Sequence, residues 1–314
     1  MEYFTTTHIK KILSDLRIPY ASNEVALDGL SFKSLRRIET RGIYYAEGKS
    51  NAEITESLVL CSKPEGFDRS NCLITVSHPQ LAFYKLMRFF YGHEASGGVH
   101  PSAIVDPGAS ISPSAEIGPY CVIGRSEVQA GVRLTSHVVV ADNCIIGENT
   151  VIESHSTIGA SGVAWVWDVE TNQRIIQPQI GGVVIGKNCF LGSDVSLVRG
   201  SVNENTTVGD GTVIAHGTKV GHGCAIGADN HFANNVSLAG NVTTGERCFF
   251  GSAAVVRPMI TLAADTTVGA GAVVVNNVVD SHLVLMGVPA RSTEPAKEKL
   301  SGVPKKTSTR TGQK

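Results

Sequence analysis

The sequence predicts a mainly β protein: a parallel β-helix with triangular coils, preceded by a small α/β domain and followed by a short tail. Three observations carry this. From Val208 to Val242 every sixth residue is aliphatic or aromatic, namely Val208, Ile214, Val220, Ile226, Phe232 and Leu238. A period of six fits neither an amphipathic helix nor an alternating strand. It fits a coil of three sides, six residues each, with one large apolar side chain per side pointing inward. The chain also holds 33 glycines, which suit corners that need φ > 0. Aromatic residues are only 6%, as a narrow Val/Ile core requires.

Residues 1–96 lack the period and read as the α/β domain. His8 to Leu16 reads as a short helix. Strand-like runs follow at Val25–Phe32, Ile43–Tyr45, Ser57–Cys61 and Asn71–Val76. HPQLAFYKLMRFFY, His78 to Tyr91, reads as a second helix with Pro79 in its first turn, burying Leu81, Phe83, Leu86, Met87 and Phe90.

The register spans 97–285. It begins at Val105, Ile111, Ile117 and Ile123, skips one residue, and resumes from Val128 to Ile158. A non-repeating excursion, 159–182, carries both tryptophans, Trp165 and Trp167. The register returns at Ile185, Leu191 and Leu197, skips again, and runs from Val202 to Val274, with Thr244 its one polar inward position. Three sides per coil give roughly eight or nine coils. Residues 286–314 read as a tail: Pro289 and Pro295 end the prism, and Lys297 to Lys314 are polar and basic, a short helix and a disordered segment.

Net charge is −1 and the isoelectric point about 6.8, so no bulk attraction to nucleic acid or membrane is expected. No segment reaches the roughly 18 apolar residues of a membrane span, and MEYFTTTHIKKILSDL has no signal-peptide core. A cytoplasmic protein is expected. Of seven cysteines, Cys121, Cys144, Cys189, Cys224 and Cys248 fall four residues after an inward position, and none forms a CxxC pair. They read as reduced, buried thiols, with no metal site.

Three histidines, His216, His222 and His231, lie in the opening stretch, and imidazole is the side chain best suited to move a proton near neutral pH. Several segments then carry a resemblance: HPQLAFYKLMRFFY, the junction GVHPSAIVDPGASISPSAEIGPYCVIG, the excursion's end IIQPQIGGVVIG, and VRGSVNENTTVGDG with one residue added. Together they resemble the UDP-3-O-acylglucosamine N-acyltransferases, within the hexapeptide-repeat acyltransferase superfamily. That resemblance implies a left-handed β-helix, homotrimers, and transfer of an acyl group from a pantetheine thioester to the amine of a nucleotide-linked amino sugar. The setting implied is lipid A or surface polysaccharide synthesis. The donor, acyl carrier protein or acyl-coenzyme A, is a cosubstrate; no permanently bound cofactor is implied.

The resemblance implies His222, in KVGHG, as catalytic base, and Gly240, in LAGN eighteen residues later, as the backbone donor to the thioester oxyanion. Tyr45, in RGIYYAEG, corresponds to an aromatic platform for uracil. The chain departs from the family in three places near the base: Ala215 replaces an aspartate, Gly223 an asparagine, and Met259 a second histidine. The tail resembles those of acetyltransferases that use coenzyme A. Glu204, eighteen before His222, is either the acceptor of the imidazole's other N–H or a solvated corner carboxylate. Trp165 and Trp167 either line a substrate pocket or pin the excursion, and Gln179 contacts substrate or is a plain loop residue. His216 lines the pocket or supports a corner, and His231 faces solvent or an interface. Two other functions share the prism: a γ-type zinc carbonic anhydrase, built on three converging histidines, and a non-catalytic trimeric scaffold.

Overall fold

The computed structural model describes residues 3–48 and 53–293. It separates into two compact units, 1–94 and 95–314.

In the first unit α1 (Thr6–Asp15) starts at Thr5, whose hydroxyl accepts the His8 N–H at 3.1 Å. It buries Ile9, Ile12 and Leu13, the i, i+3, i+4 stripe of an amphipathic helix. The strands β1 (Ala21–Ser22), β2 (Ser31–Phe32), β3 (Gly42–Ala46), β4 (Leu58–Cys61) and β5 (Cys72–Thr75) form one sheet in the order β1-β5-β4-β3-β2. Only β1 pairs antiparallel. The strand expected over Val25–Phe32 shrinks to Ser31–Phe32. The second helix, α2 (Pro79–Tyr91), has proline at its first turn, where a missing N–H costs nothing. Its buried stripe is Pro79, Ala82 and Leu86, so of the expected set Leu86 is buried while Leu81 is 52% exposed. Leu81 lies about 100° around the helix from Ala82, and Ala82 is the residue facing inward. Phe83 and Phe90 flank the stripe, packing on Phe32 (5.3 Å) and Phe4 (4.3 Å).

The second unit is the solenoid, with three parallel sheets of nine, eight and eleven strands, one per side of the triangle. Strands one coil apart pair in register, as Val220 with Leu238 and Ile214 with Phe232. Inward residues from Ile117 to Ile158 and from Val208 to Val274 are buried, each burial worth about 1.5–3 kcal/mol. Phe232 lies flat on Phe250 at 4.4 Å. Thr244 is tolerated because its hydroxyl is satisfied by Asn230 Nδ2 (3.1 Å) and the Gly227 N–H (3.2 Å). The corners turn through left-handed residues, mostly Asn, Asp and Gly. All seven cysteines are buried and unbridged, and burial raises the Cys224 and Cys248 thiols to about 11.

Two expectations change here. Val202 is not inward but 48% exposed, because 199–205 leaves the coil as a loop. The prism does not stop at Leu285: Val284–Met286 and Arg291–Thr293 pair antiparallel and close the eleven-stranded sheet. The helix and tail expected from Lys297 lie outside the described residues. No helix among the described residues is long and apolar enough to cross a membrane.

Candidate functional site

The two departures from the period lie against each other. The excursion projects as a hairpin, Trp165–Asp168 with Gln173–Ile176. The loop 199–205 grips both of its roots. Arg199 donates through Nε to Gly159 O (2.9 Å) and through Nη2 to Asp142 O (3.0 Å), and its backbone N–H donates to Ala160 O (3.0 Å). At the other root the Ile180 and Gly181 N–H groups donate to Ser201 O and Gly200 O, both at 3.1 Å. A Cβ at Gly200 or Gly181 would run into the Glu204 carbonyl, so the contact requires glycine at both positions.

His222 follows the strand Lys219–Val220 and stands between this loop and the next coil. Its Nδ1 lies 3.1 Å from Ser201 Oγ. Its other edge meets Gly240: a Cβ there would lie 2.5 Å from Nε2, 2.8 Å from Cε1 and 2.9 Å from Cδ2. The coils are locked beneath the ring, since Asn241 N–H donates to His222 O at 2.7 Å and a Cβ on Gly221 would sit 2.6 Å from Gly240 N. The register thus brings His222 and Gly240 into contact.

Glu204 reaches the ring only indirectly. Its carboxylate accepts the N–H groups of Ser201 (2.6 Å) and Val202 (3.1 Å). Its own backbone N–H, then those two, hold its carboxyl below the usual range, with a smaller contribution from His222. The eighteen-residue arithmetic fails here because the loop adds residues: Leu197 pairs with Val220, twenty-three positions on. Ser201, a residue the sequence does not single out, therefore occupies the place expected of Glu204. Gln179 is buried at the excursion's root. Its Oε1 accepts the Gly162 N–H and its Nε2 lies 3.5 Å from Ser201 Oγ.

The remaining candidates sit elsewhere. His216 turns another corner, and its Nδ1 accepts the Ser193 N–H at 2.8 Å. His231 lies within a strand, stacked on Phe249 at 5.2 Å, and burial lowers its pKa. Trp165 and Trp167 are half exposed on the hairpin, with the Arg174 guanidinium 4.5 and 5.6 Å from their rings. In the N-terminal unit Tyr45 packs on Phe83 at 5.1 Å and receives a 3.4 Å hydrogen bond from Gln80 Nε2. Gly223 has φ +65°, a conformation that asparagine also tolerates, but a Cβ there would run into Asn241 Oδ1, so an asparagine needs that side chain to move. Met259 is 75% exposed one coil beyond Gly240, where it borders an open recess of about 450 Å³ with Arg257 and Asn276. Among the described residues no cluster of His, Cys, Asp and Glu within the chain has the arrangement of a metal site.

Comparison with known proteins agrees with this architecture. The family "Hexapeptide repeat of succinyl-transferase" matches residues 182–215 and 241–279. The crystal structure of UDP-N-acetylglucosamine O-acyltransferase from Moraxella catarrhalis superposes with a TM-score of 0.57 at 28% identity, covering 62% of this chain and 73% of that one. The Francisella novicida UDP-N-acetylglucosamine acyltransferase gives 0.56 at 29%, covering 62% and 69%. The second unit is a left-handed hexapeptide-repeat β-helix. By sequence it is also similar to UDP-3-O-acylglucosamine N-acyltransferase of Bordetella avium, 31% identical over 101 residues. That match spans 32% of this chain and 28% of the relative's length.

Proposed function

We propose that this protein is an N-acyltransferase, moving an acyl group from a pantetheine thioester to the amine of a nucleotide-linked amino sugar in lipid A or surface polysaccharide synthesis. The observation that carries the reading is the imidazole of His222 seated edge-on against Gly240. In the proposed step the amine nitrogen attacks the thioester carbonyl, His222 Nε2 takes the amine proton, and the carbonyl oxygen is held by the Gly240 N–H. The C–S bond then breaks, and the proton passes to the departing thiolate.

The similarities support this reading at two levels. The structural relatives are named for acyl transfer to UDP-N-acetylglucosamine, and the sequence relatives for N-acyl transfer to a UDP-acylglucosamine. The recess beside Met259 and Arg257, adjoining Gly240 through the 3.0 Å Met259 N–H to Gly240 O bond, offers the donor arm a path and its phosphate a cation. Acyl carrier protein and acyl-coenzyme A both present that arm. Tyr45 is proposed as a nucleobase platform, and the protein as a cytoplasmic homotrimer.

The test is a donor-by-acceptor screen by mass spectrometry. Acetyl, hydroxybutyryl and hydroxymyristoyl thioesters, on coenzyme A and on carrier protein, are crossed with UDP- and dTDP-amino sugars and with UDP-N-acetylglucosamine. An amide product supports the proposal. An ester as the only product replaces it with O-acylation, and no product with any pair refutes it.

A further inference from the structure

We propose that Ser201 is a positioning residue that sets the tautomer of His222, and that Gln179 holds Ser201 in that role. Both the tautomer and its kinetic consequence rest on the acyl-transfer reading, while the ring nitrogens can be read without it. The edge of His222 that meets Gly240 is Nε2, and the edge that meets Ser201 is Nδ1. For Nε2 to accept a proton it must carry none, so Nδ1 must be the N–H and Ser201 Oγ its acceptor. A serine hydroxyl has two lone pairs and accepts from two donors at once.

The surroundings of Ser201 prepare it for this. Its N–H is held by Glu204 at 2.6 Å and its C=O by the Ile180 N–H at 3.1 Å, so the backbone is clamped from both sides. The Gln179 amide has a defined orientation, because its oxygen takes the Gly162 N–H. Its NH₂ therefore faces Ser201 Oγ, a long 3.5 Å contact in which Oγ is the acceptor. His216 provides the contrast within the same chain. Its Nδ1 accepts a backbone N–H from Ser193 at 2.8 Å, so in the neutral ring Nε2 carries the proton. The proposal gives His222 the opposite tautomer from His216, the one that leaves Nε2 free to act as a base. Because Gln179 and Ile180 end the excursion, the hairpin and the base are joined by two hydrogen-bonded links.

The test uses the full-length protein with ¹⁵N-labelled histidine, reading the imidazole nitrogens of His222 by NMR above the pH at which the ring is neutral. The expected result is the Nδ1–H form in wild type, loss of that preference in Ser201→Ala, and its return in Ser201→Thr. In the acyl-transfer assay Ser201→Ala is expected to lower kcat by about 10- to 100-fold with KM nearly unchanged, and threonine to restore it. Gln179→Ala is expected to weaken the tautomer preference in part. An Nε2–H signal in wild type overturns the proposal, as does a preference unchanged in a folded Ser201→Ala variant. If wild type catalyses no acyl transfer, the functional reading falls, while the NMR result still decides the tautomer.

Discussion

Replacing Gly240 by alanine tests the contact on which the site depends. Gly240 does not adopt a left-handed backbone, so alanine introduces no strain there. The added carbon would lie 2.5 Å from His222 Nε2, with two more ring atoms within 2.9 Å. Ordinary contact needs about 3.5 Å, so the ring must retreat by roughly 1 Å and give up its alignment with Ser201. A misplacement of that size at a reacting centre costs about 100-fold in rate, or about 2.7 kcal/mol in the barrier. The ring is only half-buried and the coil's inward residues are untouched, so stability should barely change. The assay is turnover by mass spectrometry beside thermal unfolding. A Gly240→Ala protein within threefold of wild-type kcat/KM would refute the reasoning. So would lost activity with a fall in Tm beyond about 5 °C, because the effect would then be disruption of the coil.

Other outcomes follow from the same structure. Phe250→Ala leaves Phe232 without its stacking partner and should cost about 3–5 kcal/mol by denaturant unfolding; under 1 kcal/mol would contradict the stacked core. His231 has a folded pKa below its ordinary 6.5, so the unfolded chain binds the extra proton. Stability should therefore fall as pH drops below about 6.5 and level off below the folded pKa, with a slope of at most about 1.4 kcal/mol per pH unit. His231→Phe should abolish that slope in urea melts between pH 7 and 5. The seven thiols, all buried, should resist a thiol reagent in the native protein and react in full after unfolding; rapid labelling of Cys224 or Cys248 would contradict their packing.

The solenoid was legible because one inward residue per side is a rule the chain repeats, and a repeat needs no knowledge of distant contacts. That His222 and Gly240 meet was legible for the same reason, since eighteen positions make one coil; that these two residues matter came from the resemblance. Val202 and Glu204 lie where that rule fails. Stepping back by six from Val208 lands on Val202, but the glycine-hinged loop 199–205 folds onto the excursion and carries Val202 outward. The same loop substitutes Ser201 for Glu204 beside the imidazole. No periodicity relates positions 179 and 201, because both lie in segments that leave the coil, so their meeting is visible only in three dimensions. Leu81 shows a similar limit in α2: a helix rich in apolar residues has several faces to offer, and the sheet takes the one with small Ala82.

The most direct test of the account compares wild type and His222→Ala for amide product, using the donor–acceptor pair that the screen identifies. The account predicts a loss of at least about 100-fold in kcat for a protein that keeps its Tm, as removal of a general base requires. Activity undiminished in His222→Ala would contradict it.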